Sequence, residues 1–139
     1  MDIRIATTAA EIAACFGVLR ELRQQLDEAG FVAWVHDQAS QGYVLAYVNG
    51  PSGPVSVAGY RIADRLAWGR YLAVEDMATL SPFRSQRMGA ALADWLLQTA
   101  REAGCTSVQV DAPVDAEGLR RFCERQGFAI SAHHYSRQV

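Results

Sequence analysis

The residues best suited to chemistry lie in one stretch, Glu75 to Gly89, which reads EDMATLSPFRSQRMG. A strand-like run ends there, a short polar loop follows, and a helical pattern begins at Met88. A helix N-terminus attracts anions through its free N–H groups and its dipole, and small residues let a phosphate approach the backbone. Arginines at the mouth add charge-assisted hydrogen bonds. The stretch is a candidate phosphate site, although an ordinary strand–turn–helix with solvated arginines fits the same residues.

Two adjacent carboxylates, Glu75 and Asp76, stand near the end of the strand-like run. A carboxylate at this place can accept a proton from a nucleophile, directly or through water. Strand alternation predicts that the two point to opposite faces, so that only one faces a substrate. Glu75 is the preferred base and Asp76 the alternative, and either could instead be a solvated edge charge.

A histidine pair, His133 and His134, lies near the C-terminus in a run that the pattern assigns to a last strand. Neighbours on a strand face opposite ways, so one ring faces inward, where it could act as a base or contact a substrate. A surface pair with one satisfied core ring is the alternative.

The spacing of apolar residues predicts the elements that position these groups. Thr8 and Glu11 have capping-box spacing, so a first helix begins near residue 9, with Leu22 and Leu26 on its inner face, and ends at Gly30. Further helices are predicted over residues 31–40, from Met88 to residue 103, and from a cap at Asp115 to residue 126. Strands are predicted at residues 2–6, 43–48, 55–62, 71–79, 106–110 and 128–138. The order β-α-α-β-β-β-α-β-α-β predicts an α/β (α+β) fold, a mixed sheet with helices on its faces.

The bulk composition of the 139-residue chain restricts the function classes. Half the residues are hydrophobic, a fifth are charged, and the net charge is −2, which fits one globular domain over residues 1–139 and argues against nucleic-acid binding. The three cysteines form no CxxC pair, which argues against a zinc site or a disulfide framework. No apolar run reaches the length of a membrane span and no signal-peptide pattern opens the chain, so we expect a cytoplasmic protein without a metal or membrane partner.

Two segments resemble signatures of the GNAT family of acetyltransferases. FRSQRMGAALADWLL resembles the acetyl-CoA loop, in which Arg84 and Gly89 match the first and last positions and Arg87 stands where a glycine is usual. DAEGLRRFCERQGF is similar to the second signature, with Phe122 and the Gly-Phe pair matching. Cys123 occupies the usual tyrosine position.

The resemblance implies the GNAT acyl-CoA N-acyltransferase fold, with about six or seven strands and about four helices. It implies that acetyl-CoA binds where the strand before the loop splays from the strand at residues 106–111. Backbone groups of Met77 to Thr79 would pair with pantetheine, and one N–H would polarise the thioester carbonyl. Backbone amides from Arg84 to Ala90 would bind the pyrophosphate. The implied acetyl-CoA residues are Met77, Ala78, Thr79, Arg84, Ser85, Gln86, Arg87, Met88, Gly89, Ala90 and Asp111. Because arginine tolerates a positive φ poorly, Arg87 predicts an altered loop.

The resemblance also implies direct attack of an amine on the thioester, with Glu75 as the base. Cys123 would stand in the acid position, although a small buried residue that only packs is the alternative. Tyr135 or a histidine, with His134 the candidate, could serve instead. The acceptor pocket would be built from residues 22–41 and the turn at 64–68. A homodimer through terminal strands is common in proteins that look like this one, and the sequence leaves monomer and dimer open.

Three functions fit these observations. The first is an N-acetyltransferase that uses acetyl-CoA and a primary amine of a small molecule or peptide. The second is an acetyl-CoA-binding sensor or interaction module of the same fold with impaired catalysis, suggested by Arg87 and Cys123. The third is an unrelated α+β protein with a chance loop match.

Overall fold

The computed structural model describes residues 2–139, with the backbone alone described at Ser85. One sheet carries the strands, numbered along the chain, and helices connect them. The strands are β1 Ile3–Ile5, β2 Val44–Gly50, β3 Gly53–Arg65, β4 Gly69–Thr79 and β5 Ser107–Val110. The helices are α1 Ala9–Leu19, α2 Glu28–Ala39, α3 Met88–Glu102 and α4 Glu117–Arg125, with a 3₁₀ helix, η1, at Ser81–Gln86.

The sheet has the order β1-β2-β3-β4-β5. The first four strands are antiparallel neighbours; hairpins join β2 to β3 and β3 to β4, whereas α1 and α2 lie between β1 and β2. The η1 helix and α3 form the crossover connection from β4 to β5 that parallel neighbours require. The mixed sheet and its helices are therefore confirmed, but the described residues form five strands rather than the six or seven expected.

The core lies between the sheet and the first two helices. The predicted capping box is present, since Thr8 Oγ1 accepts from Glu11 N–H and the Glu11 carboxylate accepts from Thr8 N–H. The apolar face of α1 then packs against α2 and the central strands. Its buried members include Ile12, Cys15, Val18 and Leu19, and they meet Phe31, Val35, Leu45 and Val57.

The first helix is shorter than its apolar spacing predicts. It ends at Leu19, and residues 20–27 form turns that lead to α2. Leu22 is 42% exposed and Leu26 only flanks the core, so neither extends the helical face. Gly30 does not end this helix either. It lies in the first turn of α2, where its N–H donates to the Asp27 cap at 2.6 Å. A side chain at Gly30 would crowd that carboxylate, because an added Cβ would lie 2.9 Å from Asp27 Oδ1.

Strand β4 contains an irregularity that alternation does not predict. Asp76 pairs with Gly59 and Val74 pairs with Tyr60, so Glu75 is an extra residue without a partner on β3. This is a β-bulge, which kinks the strand and re-aims the side chains on either side of it.

The chain divides into two compact units, one ending at Gln109 and one running from Val110 to Val139. In the second unit, α4 has Ala116 at its N-cap and no side-chain cap, so the predicted cap at Asp115 is wrong. The strand predicted over residues 128–138 is also wrong, because residues 126–139 lie outside any helix or strand. Residues 129–139 are all exposed, and a segment with no buried face lacks the packing that stabilises a strand. The single domain over residues 1–139 stays a prediction.

Within residues 2–139, we find no helix with the length and apolar character needed to cross a membrane.

Candidate functional site

The end of β4 presents backbone groups that β3 does not use. Leu80 N–H donates to the Val55 carbonyl at 2.8 Å, and Ala78 pairs with Val57 in the same register. Because alternate residues of an antiparallel strand bond to opposite sides, the N–H and C=O groups of Met77 and Thr79 face away from β3. The three residues Met77, Ala78 and Thr79 are only partly buried. On that side, β5 is tied to the beginning of β4, where Thr106 N–H donates to the Arg70 carbonyl at 2.8 Å.

The turn from η1 into α3 adopts a left-handed conformation at an arginine. Arg87 has φ 61° and ψ 20°, and it is the one non-glycine residue with positive φ in the part of the chain that the structure describes. The left-handed region costs an L-residue about 1–2 kcal/mol. Arg87 therefore adopts a backbone conformation that glycine reaches without this cost.

The N-terminus of α3 has no side-chain cap. Its first backbone hydrogen bond runs from Ala91 N–H to the Arg87 carbonyl at 3.0 Å, so the N–H groups of Met88, Gly89 and Ala90 precede the helical ladder. Arg84 turns back, with Nε donating to the Thr79 carbonyl at 3.0 Å and a guanidinium nitrogen 3.7 Å from a Glu21 oxygen. Gln86 and Arg87 are exposed, and the side chain of Ser85 lies outside what the structure describes. The turn is thus built mainly from backbone.

The bulge brings both carboxylates to one pocket. A cavity of about 310 Å³, which we call the bulge pocket, is lined by both Glu75 and Asp76. Strand alternation predicts that the two residues face opposite ways, but both line one pocket because the extra residue interrupts that alternation. The remaining lining is Leu19, Arg23, Gln25, Leu26, Phe31, Trp34 and Tyr43. Much of this lining comes from residues 22–41, whereas the turn at 64–68 does not contribute.

Each carboxylate has a different set of partners. Arg61 Nε donates to Glu75 Oε2 at 2.7 Å, and the same guanidinium reaches Gln38 Oε1 and the Gln41 carbonyl. Asp76 Oδ1 pairs with Arg23 Nη2 at 2.9 Å, and Asp76 Oδ2 accepts from Tyr43 Oη at 2.9 Å. The Asp76 side chain is 12% exposed and that of Glu75 is 36% exposed. Asp76 is thus held on both oxygens, whereas the described donor to Glu75 reaches one.

Tyr43 is the buried support of this pocket. Burial, and then the negative charge of Asp76, raise the pKa of its phenol, so the hydroxyl stays protonated and donates. The ring lies over Gly59, where an added Cβ would overlap the Tyr43 hydroxyl. Trp34 packs edge-on against the ring at 4.9 Å between centroids, and the Arg61 guanidinium lies 5.4 Å from its centre. A glycine is therefore required opposite Asp76 for the phenol to reach it.

The second unit holds the other residues that the sequence singled out. His134 Nδ1 lies 3.5 Å from Asp111 Oδ2, with both side chains largely exposed. Tyr135 is 88% exposed. Cys123 is half-buried on α4, and burial, followed by the charge of Glu124, raises the pKa of its thiol. A raised pKa favours the protonated thiol over the nucleophilic thiolate.

Sequence reasoning missed the residues that hold the carboxylates, namely Arg23, Tyr43, Gly59 and Arg61. Their contacts to Glu75 and Asp76 bridge from 14 to 53 positions in sequence, and no motif marks them. Among the residues that the structure describes, no three His, Cys, Asp or Glu side chains are grouped to hold a metal ion.

Comparison with known proteins identifies the family. The profile of the acetyltransferase (GNAT) family matches residues 7–128. The chain is 24% identical over 135 residues to the uncharacterized N-acetyltransferase YhdJ of Bacillus subtilis (strain 168), covering 96% of this chain and 95% of that protein. It is 25% identical over 143 residues to the aminoalkylphosphonate N-acetyltransferase of Salmonella typhimurium, covering 99% and 91%. The crystal structure of the ribosomal-protein-alanine N-acetyltransferase of Brucella melitensis superposes over the whole of both chains, with a TM-score of 0.85 at 16% identity. The chain therefore belongs to the acetyltransferase (GNAT) family and is an acyltransferase.

Proposed function

We propose that the chain transfers the acetyl group of acetyl-CoA to a primary amine of a small molecule or peptide, by direct attack in a ternary complex. The observation that carries the proposal is the backbone arrangement at the end of β4. The backbone N–H and C=O groups of Met77 and Thr79 face away from β3. Only the short 3₁₀ helix η1 separates them from the uncapped N-terminus of α3. Together with membership in the family, this arrangement favours an acyl-CoA thioester with a pyrophosphate.

The residues present fit the two parts of acetyl-CoA. The pantetheine arm is a chain of amides, which an open strand edge can pair like an added strand, and Met77 to Thr79 supply that edge. The pyrophosphate is an anion, which the N–H groups of Met88, Gly89 and Ala90 and the dipole of α3 would bind. The resemblance implies that this anion site is completed by Arg84, Ser85, Gln86 and Arg87. It also implies a role in acetyl-CoA binding for Asp111, which follows β5.

The reaction needs two proton transfers. The ammonium gives one proton to a base, and the free amine attacks the thioester carbonyl carbon. The Met77 N–H would stabilise the negative oxygen that develops there. As the carbon–sulfur bond breaks, the second proton on the new amide nitrogen ends on the departing thiolate. The products are the acetylated amine and CoA, and the first proton leaves to solvent.

Glu75 is the base in this proposal. Its Oε2 is held by Arg61, which fixes the carboxylate, while in the described part of the chain no donor reaches Oε1. Glu75 is also one of the residues that line the bulge pocket, where the amine would arrive. Asp76 is the poorer base because both of its oxygens accept hydrogen bonds or an ion pair.

The assignment of the acid follows the resemblance. Cys123 stands at the acid position of the second signature, and its raised pKa keeps it a proton donor at neutral pH. Tyr135 and His134 are the alternatives. Separate Cys123→Ala, Tyr135→Phe and His134→Gln variants identify the acid by the largest loss of kcat. A cytoplasmic location and a homodimer stay predictions of the sequence.

The experiment that tests the proposal is isothermal titration with acetyl-CoA, CoA and desulfo-CoA, followed by a thiol-release assay. We expect micromolar binding of all three and acetyl-dependent thiol release with an amine panel. The panel includes simple arylalkylamines and an aminoalkylphosphonate, the substrate class in the name of the Salmonella relative. Failure of all three ligands to bind would refute the proposal.

A further inference from the structure

One residue that lines the bulge pocket, Arg23, carries a positive charge. Arg23 projects into the pocket from the turns between α1 and α2, and its Nη2 lies 2.9 Å from Asp76 Oδ1 and 3.4 Å from the Glu75 carbonyl oxygen. The Arg23 side chain is 41% exposed and the Asp76 side chain is 12% exposed. The guanidinium therefore enters from solvent, whereas the carboxylate belongs to the wall of the pocket.

Asp76 would keep its position without Arg23. Its other oxygen accepts from Tyr43 Oη at 2.9 Å, and Tyr43 is only 3% exposed, with its ring fixed over Gly59 and against Trp34. The support is part of the core, so Asp76 Oδ1 and the Glu75 carbonyl form a preorganised pair of acceptors for whichever cation reaches them.

The rest of the pocket describes the body of the ligand. The cavity of about 310 Å³ is lined by the apolar and aromatic residues Leu19, Leu26, Phe31 and Trp34 as well as by Glu75 and Asp76. Glu75 is already neutralised by Arg61, so the uncompensated charge after removal of Arg23 is that of Asp76 alone. One positive charge on an apolar or aromatic body matches this lining, and a neutral or anionic ligand would leave Asp76 partly desolvated without a cationic partner.

We propose that Asp76 Oδ1 and the Glu75 carbonyl form the binding site for the ammonium of the acceptor, and that Arg23 occupies this site as an internal competitor. The acceptor is a primary amine on an apolar or aromatic body that carries no anionic group. The inference deepens the proposed function and rests on it, because it names the substrate class of the same pocket. Binding exchanges one cation for another, so the apparent affinity for the amine is reduced by the fraction of molecules in which Arg23 fills the site.

The test is isothermal titration of phenethylamine, phenethyl alcohol and phenylacetate, with and without saturating desulfo-CoA. The variants are Arg23→Gln, Arg23→Lys and Asp76→Asn. Arg20→Gln is the matched control, because it removes the same charge from the neighbouring turn but from a residue that lines a different cavity. Circular dichroism and thermal unfolding establish that each variant is folded.

We expect phenethylamine to bind the native chain more tightly than the alcohol or the anion. Because a half-exposed ion pair is weak, Arg23→Gln should tighten the amine by about threefold to tenfold. Arg23→Lys should fall between native and Arg23→Gln, Arg20→Gln should leave affinity unchanged, and Asp76→Asn should lose amine binding.

Three results would overturn the inference. The first is weaker amine binding in Arg23→Gln, and the second is no amine binding to any variant. The third is tighter binding of phenylacetate than of phenethylamine, lost in Arg23→Gln, which would make Arg23 an anion receptor. Acetyl-CoA titrations of the same samples distinguish a failure of the proposed substrate class from a failure of the proposed transferase function. If acetyl-CoA binds while the amine results fail, the substrate class is wrong and the transferase proposal stands; if acetyl-CoA does not bind, the transferase proposal itself fails.

Discussion

The bulge pocket and the η1–α3 turn are built by opposite means. The pocket is a network of side chains, in which Tyr43, Arg61 and Arg23 fix the two carboxylates through ion pairs and hydrogen bonds. The turn is made mainly of backbone, with an uncapped helix and one arginine in the left-handed region. A site made of side chains changes with each substitution, whereas a site made of backbone tolerates substitutions that preserve its dihedral angles. We therefore expect specificity and catalysis to depend on the pocket, and acyl-CoA binding to depend on the turn.

The strongest way to break the pocket is to fill the space above Gly59. In Gly59→Ala, the new methyl group would overlap the Tyr43 hydroxyl and displace the ring that holds Asp76. We expect a loss of about 3 kcal/mol in the free energy of unfolding, measured by urea denaturation. Gly17→Ala is the matched control, since an added Cβ there meets no atom within 4 Å on an ordinary helix, and it should be neutral or slightly stabilising. Equal stability of the two variants would show that the phenol does not need this glycine.

Removal of the base separates chemistry from binding. Glu75→Gln keeps the shape of the side chain and the acceptor for Arg61 but loses the basic oxygen. We expect kcat in the thiol-release assay to fall about a hundredfold or more. Acetyl-CoA affinity should not change, because the turn does not use this side chain. Glu102→Gln, an exposed change on α3, should keep full activity. Full activity in Glu75→Gln would transfer the role of base to another group.

The buried thiol of Cys15 should make the stability of the protein depend on pH in the alkaline range. Cys15 is fully buried, and burial raises the pKa of its thiol to about 12. The unfolded chain releases this proton at about pH 8.5, whereas the folded chain retains it. The contribution of Cys15 to the free energy of unfolding is therefore fully present below that pH and is lost as the pH rises above it. From pH 8.5 to 9.5 this group should cost about 1 kcal/mol in unfolding free energy. Cys15→Ala should show a shallower decline, with a remainder from Cys123, whose pKa is also raised. An unchanged decline in Cys15→Ala would contradict the assignment.

The smallest effect tests the turn. Arg87→Gly should relieve the strain of the left-handed backbone, and this relief should exceed the cost of glycine's added chain entropy, for a net gain of about 0.5 kcal/mol in the free energy of unfolding. Acetyl-CoA affinity should change by less than about threefold, because backbone amides make the site. Arg101→Gly inside α3 is the contrast, with an expected loss of about 1 kcal/mol. A large loss of affinity in Arg87→Gly would mean that the guanidinium, rather than the backbone, binds the phosphate.

Local patterns predicted the elements well where one segment contains its own signal. The Thr8–Glu11 box and the apolar spacing of α3 depend on residues three or four apart, and the start of α1 and the whole of α3 are found where predicted. The turn was found for the same reason, since its signal lies in one contiguous stretch. Patterns failed where a partner decides, as in the C-terminal segment, which alternates but has no buried face.

The pocket was only half predictable. Glu75 and Asp76 stood out as carboxylates at the end of a strand, but the bulge that turns both into one cavity depends on register with Gly59 and Tyr60. Register is set by packing between strands and leaves no mark in the sequence of β4 itself. For the same reason Tyr43 and Arg23 could not be connected to Asp76 before the fold was known.

The most direct measurement is acetyl-CoA titration and thiol release on the same preparations of the native chain and Glu75→Gln. We expect micromolar binding of equal strength to both, with amine-dependent transfer in the native chain and at least about a hundredfold less in the variant. Absence of acetyl-CoA binding to the native chain would contradict the assignment of the turn. Equal transfer by the two proteins would contradict the assignment of the pocket.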